Sequence, residues 1–124
     1  MKIAAGEHIA NRILFKNFMQ AGGLHYVQAD CTRLAGVSEF LTVSFLAKKF
    51  GLPVVPHVGD MGQLHQHLVL FNHVALGHQI LFLEHIPHLR SHFLFPAQLK
   101  GGRYETPQEA GASCDLRLVS GKNP

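Results

Sequence analysis

Four acid or base side chains stand where short apolar runs of the sequence stop: Glu7, Asp30, His57 and Glu84. They are 23, 27 and 27 residues apart, and each interval is long enough for one strand–helix repeat. Side chains at the carboxyl ends of parallel strands face the ligand in β/α folds, so we expect all four on one rim. Carboxylates and an imidazole on one rim suit cation binding and proton transfer near neutral pH.

Asp30 and His57 follow successive strands, and we expect their side chains to be neighbours. A carboxylate that accepts a hydrogen bond from one ring nitrogen fixes the histidine tautomer and raises the basicity of the other nitrogen. We therefore predict an acid–base pair. The alternative is a structural Asp30 that caps the following loop, beside an unrelated histidine.

The two glutamates each have a functional and a structural interpretation. Glu7 can bind a hard cation such as Mg²⁺ through oxygen, although one carboxylate cannot hold that ion well. Glu7 can equally be an acid favoured at a helix N-terminus by the dipole. Glu84 can hydrogen-bond a developing oxyanion or orient a substrate, or it can cap the helix expected near Pro87.

The chain has ten histidines, and most of them need no functional explanation. His88 and His92 are four apart and would share one face of an α-helix, which is a zinc-ligand spacing, but no third ligand is evident. His65 and His67 are two apart and would point in different directions on a helix. We assign neither of them a role.

The elements that must position these residues alternate along the chain. We predict strands that end at residue 5, at 29, at 55 and at 83, each followed by a helix: 9–21, 39–50, 61–76 and 87–93. The first helix is predicted to bury Ile9, Ile13, Phe18 and Met19, and the third to bury Leu64, Leu68, Phe71 and Ala75. Ser38 is the predicted N-cap of the second helix. This order predicts a parallel α/β fold.

Composition excludes several classes of protein. A chain of 124 residues with 47% hydrophobic residues fits one folded domain. No apolar run reaches the roughly 18 residues of a membrane helix, and no secretion signal is evident. The net charge of +3 comes from scattered basic residues, so we predict no nucleic-acid partner. Two distant cysteines fit no metal or redox spacing, which favours a cytoplasmic protein.

Four stretches resemble the enolase superfamily, mandelate racemase subgroup, and within it the L-fuconate dehydratases. They are Gly6-Glu7-His8-x-x-Asn11-Arg12, Gln28-x-Asp30-x-x-Arg33-x-x-Gly36, Pro56-His57-x-Gly59 and Gly102-x-Tyr104-x-x-Pro107-x-x-x-Gly111. The resemblance runs from Lys2 to Asp115. It implies the carboxy-terminal part of a (β/α)₇β TIM-like barrel, strands 5 to 8 with their helices, over residues 1–95. An irregular tail, 96–124, would return to a capping domain, with Tyr104 and Pro107 away from the strand ends.

The resemblance also implies a reaction. Glu7 matches the third of three carboxylates that bind Mg²⁺, Asp30 and His57 match an Asp–His dyad, and Glu84 matches the acid on the last strand. We predict that Asn11 and Glu84 bind substrate. The implied substrate is a sugar acid of the aldonate type. In the implied reaction its proton α to the carboxylate is removed, an enediolate forms, and the 3-hydroxyl leaves to give a 2-keto-3-deoxy acid.

The chain departs from the family pattern in what it contains. It begins at the fifth strand, without the first two metal carboxylates, the Lys-x-Lys pair and most of the capping domain. The loop at 59–63 is shorter than in the fuconate dehydratases by about two residues, the connection near His78 is also shorter, and loops at strand ends touch substrate in this fold. We expect a homo-oligomer or a need for the missing amino-terminal half. The alternative is a truncated gene product that folds without activity.

Overall fold

The structure, a computed structural model, describes residues 1–58 and 63–118. Four short strands, three α-helices and one 3₁₀ helix form the regular elements of these residues. In chain order they are β1 (Ala4–Ala5), α1 (Arg12–Gln20), β2 (Tyr26–Val27), α2 (Val37–Lys49), α3 (Leu64–Leu76), a 3₁₀ helix (Pro87–His92), β3 (Leu99–Lys100) and β4 (Arg103–Tyr104).

The first three predicted strand positions form a parallel sheet. β1 pairs with β2 so that Ala4 lies opposite Tyr26, and a parallel bridge joins Val27 to Val54. The N–H of Val55 donates to the carbonyl of Val27 at 2.9 Å. Helices α1 and α2 connect these positions, so the repeated β/α organisation predicted from the sequence is present here.

The predicted fourth strand at 79–83 is wrong. In the described part of the chain this segment has no strand assignment, and no backbone hydrogen bond joins it to the sheet. The N–H of Val54, in the third strand position, donates to the Nδ1 atom of His78 at 3.4 Å. The ring of His78 therefore accepts the N–H of Val54, which in a continued sheet would donate to the carbonyl of a neighbouring strand.

Helix α1 differs from its predicted start and buried side. It begins at Arg12 because the side-chain oxygen of Asn11 accepts the N–H groups of Ile13 and Leu14, each at 3.0 Å. Phe15 and Met19, four residues apart, are its buried residues. Ile13 and Phe18, which were predicted to be buried, are 56% and 47% exposed.

Helix α2 begins two residues earlier than predicted, and its N-cap is Gly36 rather than Ser38. Its first turn is instead joined to α1 through Glu39. One carboxylate oxygen of Glu39 accepts the backbone N–H of Arg12 at 2.7 Å, and the other accepts Nη1 of Arg12 at 2.8 Å. This contact holds the start of α1, and with it the preceding loop that carries Glu7.

Helix α3 ends at Leu76, as predicted, with Gly77 in the left-handed conformation. Its predicted start at residue 61 lies outside the described residues, as does most of the 59–63 loop. The predicted burial of Ala75 is wrong, and Phe71 is only half-buried. The buried face of α3 is instead His65, Gln66, Leu68, Val69, Asn72 and Leu76.

The segment after residue 95 contains regular structure that was not predicted. β3 and β4 form an antiparallel hairpin, and an isolated bridge joins Phe93 to Leu116. The segment from Pro87 to His92 is a 3₁₀ helix rather than an α-helix. Residues 119–124 lie outside the described part of the chain, and the assignment of 96–124 to a separate tail stays a prediction.

One apolar cluster lies between the sheet and the helices. Its fully buried members include Phe15 from α1, Val27 from β2, Phe40 and Val43 from α2, together with Val54. Within residues 1–58 and 63–118, none of the helices has the length and apolar character needed to span a membrane.

Gly6 sets the close approach between the end of β1 and its neighbour. Its φ is +153°, and a Cβ placed on it would lie 2.7 Å from both the carbonyl carbon and oxygen of Gln28. Backbone atoms cannot move aside as the end of a side chain can, so only glycine fits at this position. The approach places Glu7 next to the loop that follows β2.

We predict that Gly6→Ala lowers the free energy of unfolding by about 2–4 kcal/mol, since strained φ and overpacking combine. Gly22→Ala is the matched control, because Gly22 also has a positive φ (+66°) but nothing lies within 4 Å of the point that its Cβ would occupy. We expect it to cost about 1 kcal/mol. Urea denaturation of both variants is the measurement, and equal losses would contradict the close-approach argument.

Candidate active site

His57 and Asp30 are in direct contact. Nδ1 of His57 lies 3.0 Å from Oδ2 of Asp30, and the Asp30 residue is only 1% exposed. Parallel pairing sets this contact: the N–H of His57 donates to the carbonyl of Ala29, the residue before Asp30, at 3.2 Å. The sheet therefore brings the ends of two strands, and the side chains that follow them, to one point.

Two glutamates face the other ring nitrogen of His57. Nε2 lies 3.5 Å from Oε2 of Glu7 and 3.5 Å from Oε2 of Glu84. The same oxygen of Glu84 accepts the N–H of Val58 at 3.2 Å, which holds this carboxylate beside the histidine. The structure thus brings together the four side chains that the sequence placed on one rim. Their chemical roles stay predictions.

Asn11 occupies a different position. Its side-chain oxygen accepts the N–H groups at the N-terminus of α1, and none of its described contacts is with His57, Asp30, Glu7 or Glu84. The helix cap is a complete structural reason for an asparagine here. The predicted contact between Asn11 and a substrate stays a prediction. It would involve the side-chain amide nitrogen, because the side-chain oxygen already accepts the two N–H groups of the helix cap.

Asp30 is buried among hydrogen-bond donors. Its Oδ1 accepts the N–H and the hydroxyl of Thr32, at 2.8 and 2.7 Å, and lies 3.0 Å from Nε2 of His65. Burial alone raises the pKa of Asp30, but hydrogen bonds from His65, Thr32 and His57 outweigh it and hold the pKa well below its usual range. An ionised Asp30 can only accept, so the tautomer of a neutral His57 that fits this contact carries its hydrogen on Nδ1 and leaves a lone pair on Nε2.

Arg33 connects two of the acidic side chains. Its Nη2 lies 3.0 Å from Oε1 of Glu7, and its Nε lies 3.8 Å from Oδ2 of Asp30. Arg33 is part of one of the motifs noted in the sequence, but its contact with Glu7 was not predicted. The guanidinium offsets part of the repulsion between carboxylates gathered around one histidine.

The position of His65 was not predicted from the sequence. The predicted buried side of α3 followed Leu64 and Leu68, whereas the observed side follows His65, Leu68, Asn72 and Leu76, spaced at three or four residues. Spacing alone allowed both faces. The sequence signal for a buried His65 was its helical spacing from Leu68 and Leu76. A polar side chain that is buried with apolar ones requires a hydrogen-bond partner.

The side chains present do not make a Mg²⁺ site by themselves. Mg²⁺ needs several oxygen ligands in near-octahedral geometry and loses its water reluctantly. Glu7 is a single carboxylate, and one of its oxygens is paired with Arg33. Within the described residues, no group of three or more His, Cys, Asp or Glu side chains is arranged to hold a metal ion.

The zinc interpretation of His88 and His92 is not supported. Both residues are exposed and belong to the 3₁₀ helix. With three residues per turn, side chains four apart do not share a face as they do in an α-helix. The spacing that suggested a zinc site therefore does not bring these two rings together.

Tyr104 lies closer to the site than the sequence indicated. Its hydroxyl donates to the backbone carbonyl of Glu84 at 3.0 Å, so the expectation that it lies away from the strand ends is wrong. Beside this contact is an open groove of about 720 Å³, lined mainly by apolar side chains of α3, residues 81–83 and the hairpin. The four rim side chains are not part of that lining.

The depressed pKa of Asp30 predicts a pH-dependent stability. An unfolded aspartate titrates near 3.9, so the contribution of Asp30 is fully present above that pH and is lost as pH falls below it. We expect Asp30→Asn to lower stability at neutral pH and to flatten its fall below about pH 4. Denaturation at several pH values tests this. Glu109→Gln, at an exposed position, is the control and should keep the wild-type slope.

Comparison with known proteins places this arrangement in a family. Residues 1–118 match the enolase C-terminal domain-like family. The L-galactonate dehydratase of Hypocrea jecorina is 41% identical over 120 residues, which make up 95% of this chain and 27% of that protein. The chain thus spans just over a quarter of the length of this relative.

Solved structures agree with the sequence match. The crystal structure of human mitochondrial enolase superfamily member 1 superposes with a TM-score of 0.85 at 37% identity, over 93% of this chain and 27% of that one. The L-talarate/galactarate dehydratase of Salmonella typhimurium LT2, liganded with Mg and L-lyxarohydroxamate, has a TM-score of 0.73 at 25% identity, over 95% and 28%. The predicted fold class is confirmed. The chain belongs to the enolase superfamily, and its fold is the carboxy-terminal part of that superfamily's TIM barrel.

Proposed function

We propose that this chain carries the acid–base residues of a sugar-acid dehydratase. The observation that supports this most is the setting of His57, with Nδ1 on a buried carboxylate and Nε2 facing Glu7 and Glu84. An imidazole held in this way can take or give a proton at Nε2 near neutral pH. The dehydratases among its relatives favour this reaction over other uses of an Asp–His pair.

The proposed reaction removes water from an aldonate. The C2–H bond breaks and its proton is transferred to a base. The C3–O bond breaks as the hydroxyl takes up a proton from an acid and leaves as water, and the resulting enol tautomerises to a 2-keto-3-deoxy acid. His57 Nε2 is proposed to carry one of the two protons. Glu84 orients the substrate or hydrogen-bonds the charge that develops on it. Asn11 is proposed to contact the substrate.

Glu7 is proposed as one ligand of Mg²⁺, with the other carboxylates supplied from outside these 124 residues. When bound, Mg²⁺ stabilises negative charge on the substrate carboxylate. Glu7 alone, paired with Arg33, does not hold the ion. The complete site is therefore proposed to need the remainder of the barrel, in the same chain or in another.

The substrate is proposed to be a six-carbon aldonate. The sequence motifs favour L-fuconate, and the 41% identity to an L-galactonate dehydratase makes L-galactonate a second candidate. Cytoplasmic location and self-association stay predictions.

A non-enzymatic fragment is the second candidate. The observation in its favour is that the chain spans just over a quarter of the length of its relatives, with one of three expected metal carboxylates. Such a fragment would fold and associate without turnover.

We predict that the 124-residue chain alone gives no detectable 2-keto product from L-fuconate or L-galactonate with Mg²⁺. With the missing part of the barrel supplied, we expect turnover that His57→Asn lowers by about 10²–10⁴-fold, the usual contribution of a general acid or base. The matched control is His88→Asn, an exposed histidine on the 3₁₀ helix, which should retain activity.

The same assay in D₂O separates the two roles of His57. If His57 takes the C2 proton, His57→Asn also loses exchange of that proton with solvent. If it protonates the leaving hydroxyl, exchange persists while product is lost. Turnover by the short chain alone would contradict the incomplete site, and full activity of His57→Asn in the completed barrel would contradict the proposed role.

A further inference from the structure

A second histidine, the buried His65, contacts the Asp30 carboxylate at the oxygen that His57 does not contact. Nε2 of His65 lies 3.0 Å from Oδ1 of Asp30, while Nδ1 of His57 lies 3.0 Å from Oδ2. His65 is 4% exposed. Each oxygen of one carboxylate therefore faces a different imidazole, and the two rings come from different parts of the chain.

The position of the proton on His65 follows from its neighbours. The backbone N–H of Cys31 also points at Nε2 of His65, at 3.2 Å, and one ring nitrogen cannot both accept from that N–H and donate to Asp30. An ionised carboxylate can only accept, and a lone pair facing it at 3.0 Å would be repelled. The Nε2–H tautomer, which donates to Asp30, makes the stronger charge-assisted interaction at the expense of the neutral bond from Cys31.

The ring of His65 is itself held in place. Phe40 of α2, which is fully buried, meets it edge to face, with ring centroids 6.4 Å apart and an interplanar angle of 76°. Oδ1 of Asp30 is further occupied by the N–H and hydroxyl of Thr32. With Oδ1 fully used by these donors, Oδ2 is left for His57. Thr32 is two residues from Asp30, so among the described donors to Oδ1 His65 alone connects the carboxylate to a distant element.

We propose that His65 is a positioning residue: its Nε2–H holds Oδ1 of Asp30 so that Oδ2 stays on Nδ1 of His57, which fixes the orientation of the His57 ring and leaves its Nε2 directed at Glu7 and Glu84. His65 acts through Asp30 and does not touch the reacting atoms. The inference rests on the proposed function for its consequence in catalysis, but the geometry that it predicts exists without turnover.

The first test reads the His57 tautomer directly. In the 124-residue chain labelled with ¹⁵N-histidine, above the ordinary histidine pKa of about 6.5, NMR shows which ring nitrogen bears hydrogen and how fast that hydrogen exchanges. We expect a protected Nδ1–H on His57. His65→Leu, which removes the donor at similar volume, should speed its exchange and populate the Nε2–H form. His65→Gln, which keeps an N–H donor, should preserve the protected proton.

Two further variants make the result decisive. His65→Asn keeps a polar group that is too short to reach Oδ1, so it should behave as His65→Leu does and serves if that variant does not fold. His67→Leu is the matched control in the same helix, with no described contact to Asp30, and should leave His57 unchanged. The proposal is overturned if the protected Nδ1–H of His57 is unchanged in folded His65→Leu or His65→Asn. It is also overturned if that proton is lost in His65→Gln, or if His67→Leu changes its exchange equally.

The second test uses the completed barrel. Loss of a residue that orients an active-site group through another usually costs about 10–100-fold in activity, so we expect His65→Leu to lower kcat by that factor with KM nearly unchanged. His65→Gln should recover most of it. A general loss of structure would not show this rescue. If the completed barrel dehydrates no sugar acid, the proposed function fails, and the NMR result still decides the role of His65.

Discussion

The burial of one ionised carboxylate constrains the rest of this structure. A charge removed from water must be compensated by hydrogen bonds, and Asp30 receives them from His57, His65 and Thr32. Those residues belong to the end of the third strand position, the first turn of α3 and the loop after β2. Because the donors must converge on a single side chain, they fix the spacing between three parts of the chain.

The two histidines that contact the Asp30 carboxylate, His57 and His65, have different surroundings. The Nε2 atom of His57 faces Glu7 and Glu84, whereas the ring of His65 packs against Phe40. The two side chains have the same chemistry, and their surroundings separate them. The contacts of His57 with Asp30 and Glu84 are thus made among residues of this chain, whereas Glu7 is the one residue that we propose as a cation ligand.

Much of the rim followed from the sequence because strand ends are marked by a simple pattern, an apolar run followed by a polar residue. That pattern placed Glu7, Asp30 and His57 correctly. It failed at 79–83, where an apolar run did not become a strand, because pairing depends on a neighbour that no local pattern encodes. It also failed at His65, because two faces of α3 are nearly equally apolar. The contact between His65 and Asp30 determines which of the two faces is buried.

The parallel order of the strands has a consequence for how the chain reaches this state. The contact between Asp30 and His57 spans 27 positions, and that between Val58 and Glu84 spans 26. Each closes a loop that contains a whole helix, and closing loops of this length costs chain entropy before any contact rewards it. We expect helices to form early and the histidine–carboxylate contacts to form late, when the sheet is complete. Partly folded chains would then have helical content but no contact between His57 and Asp30.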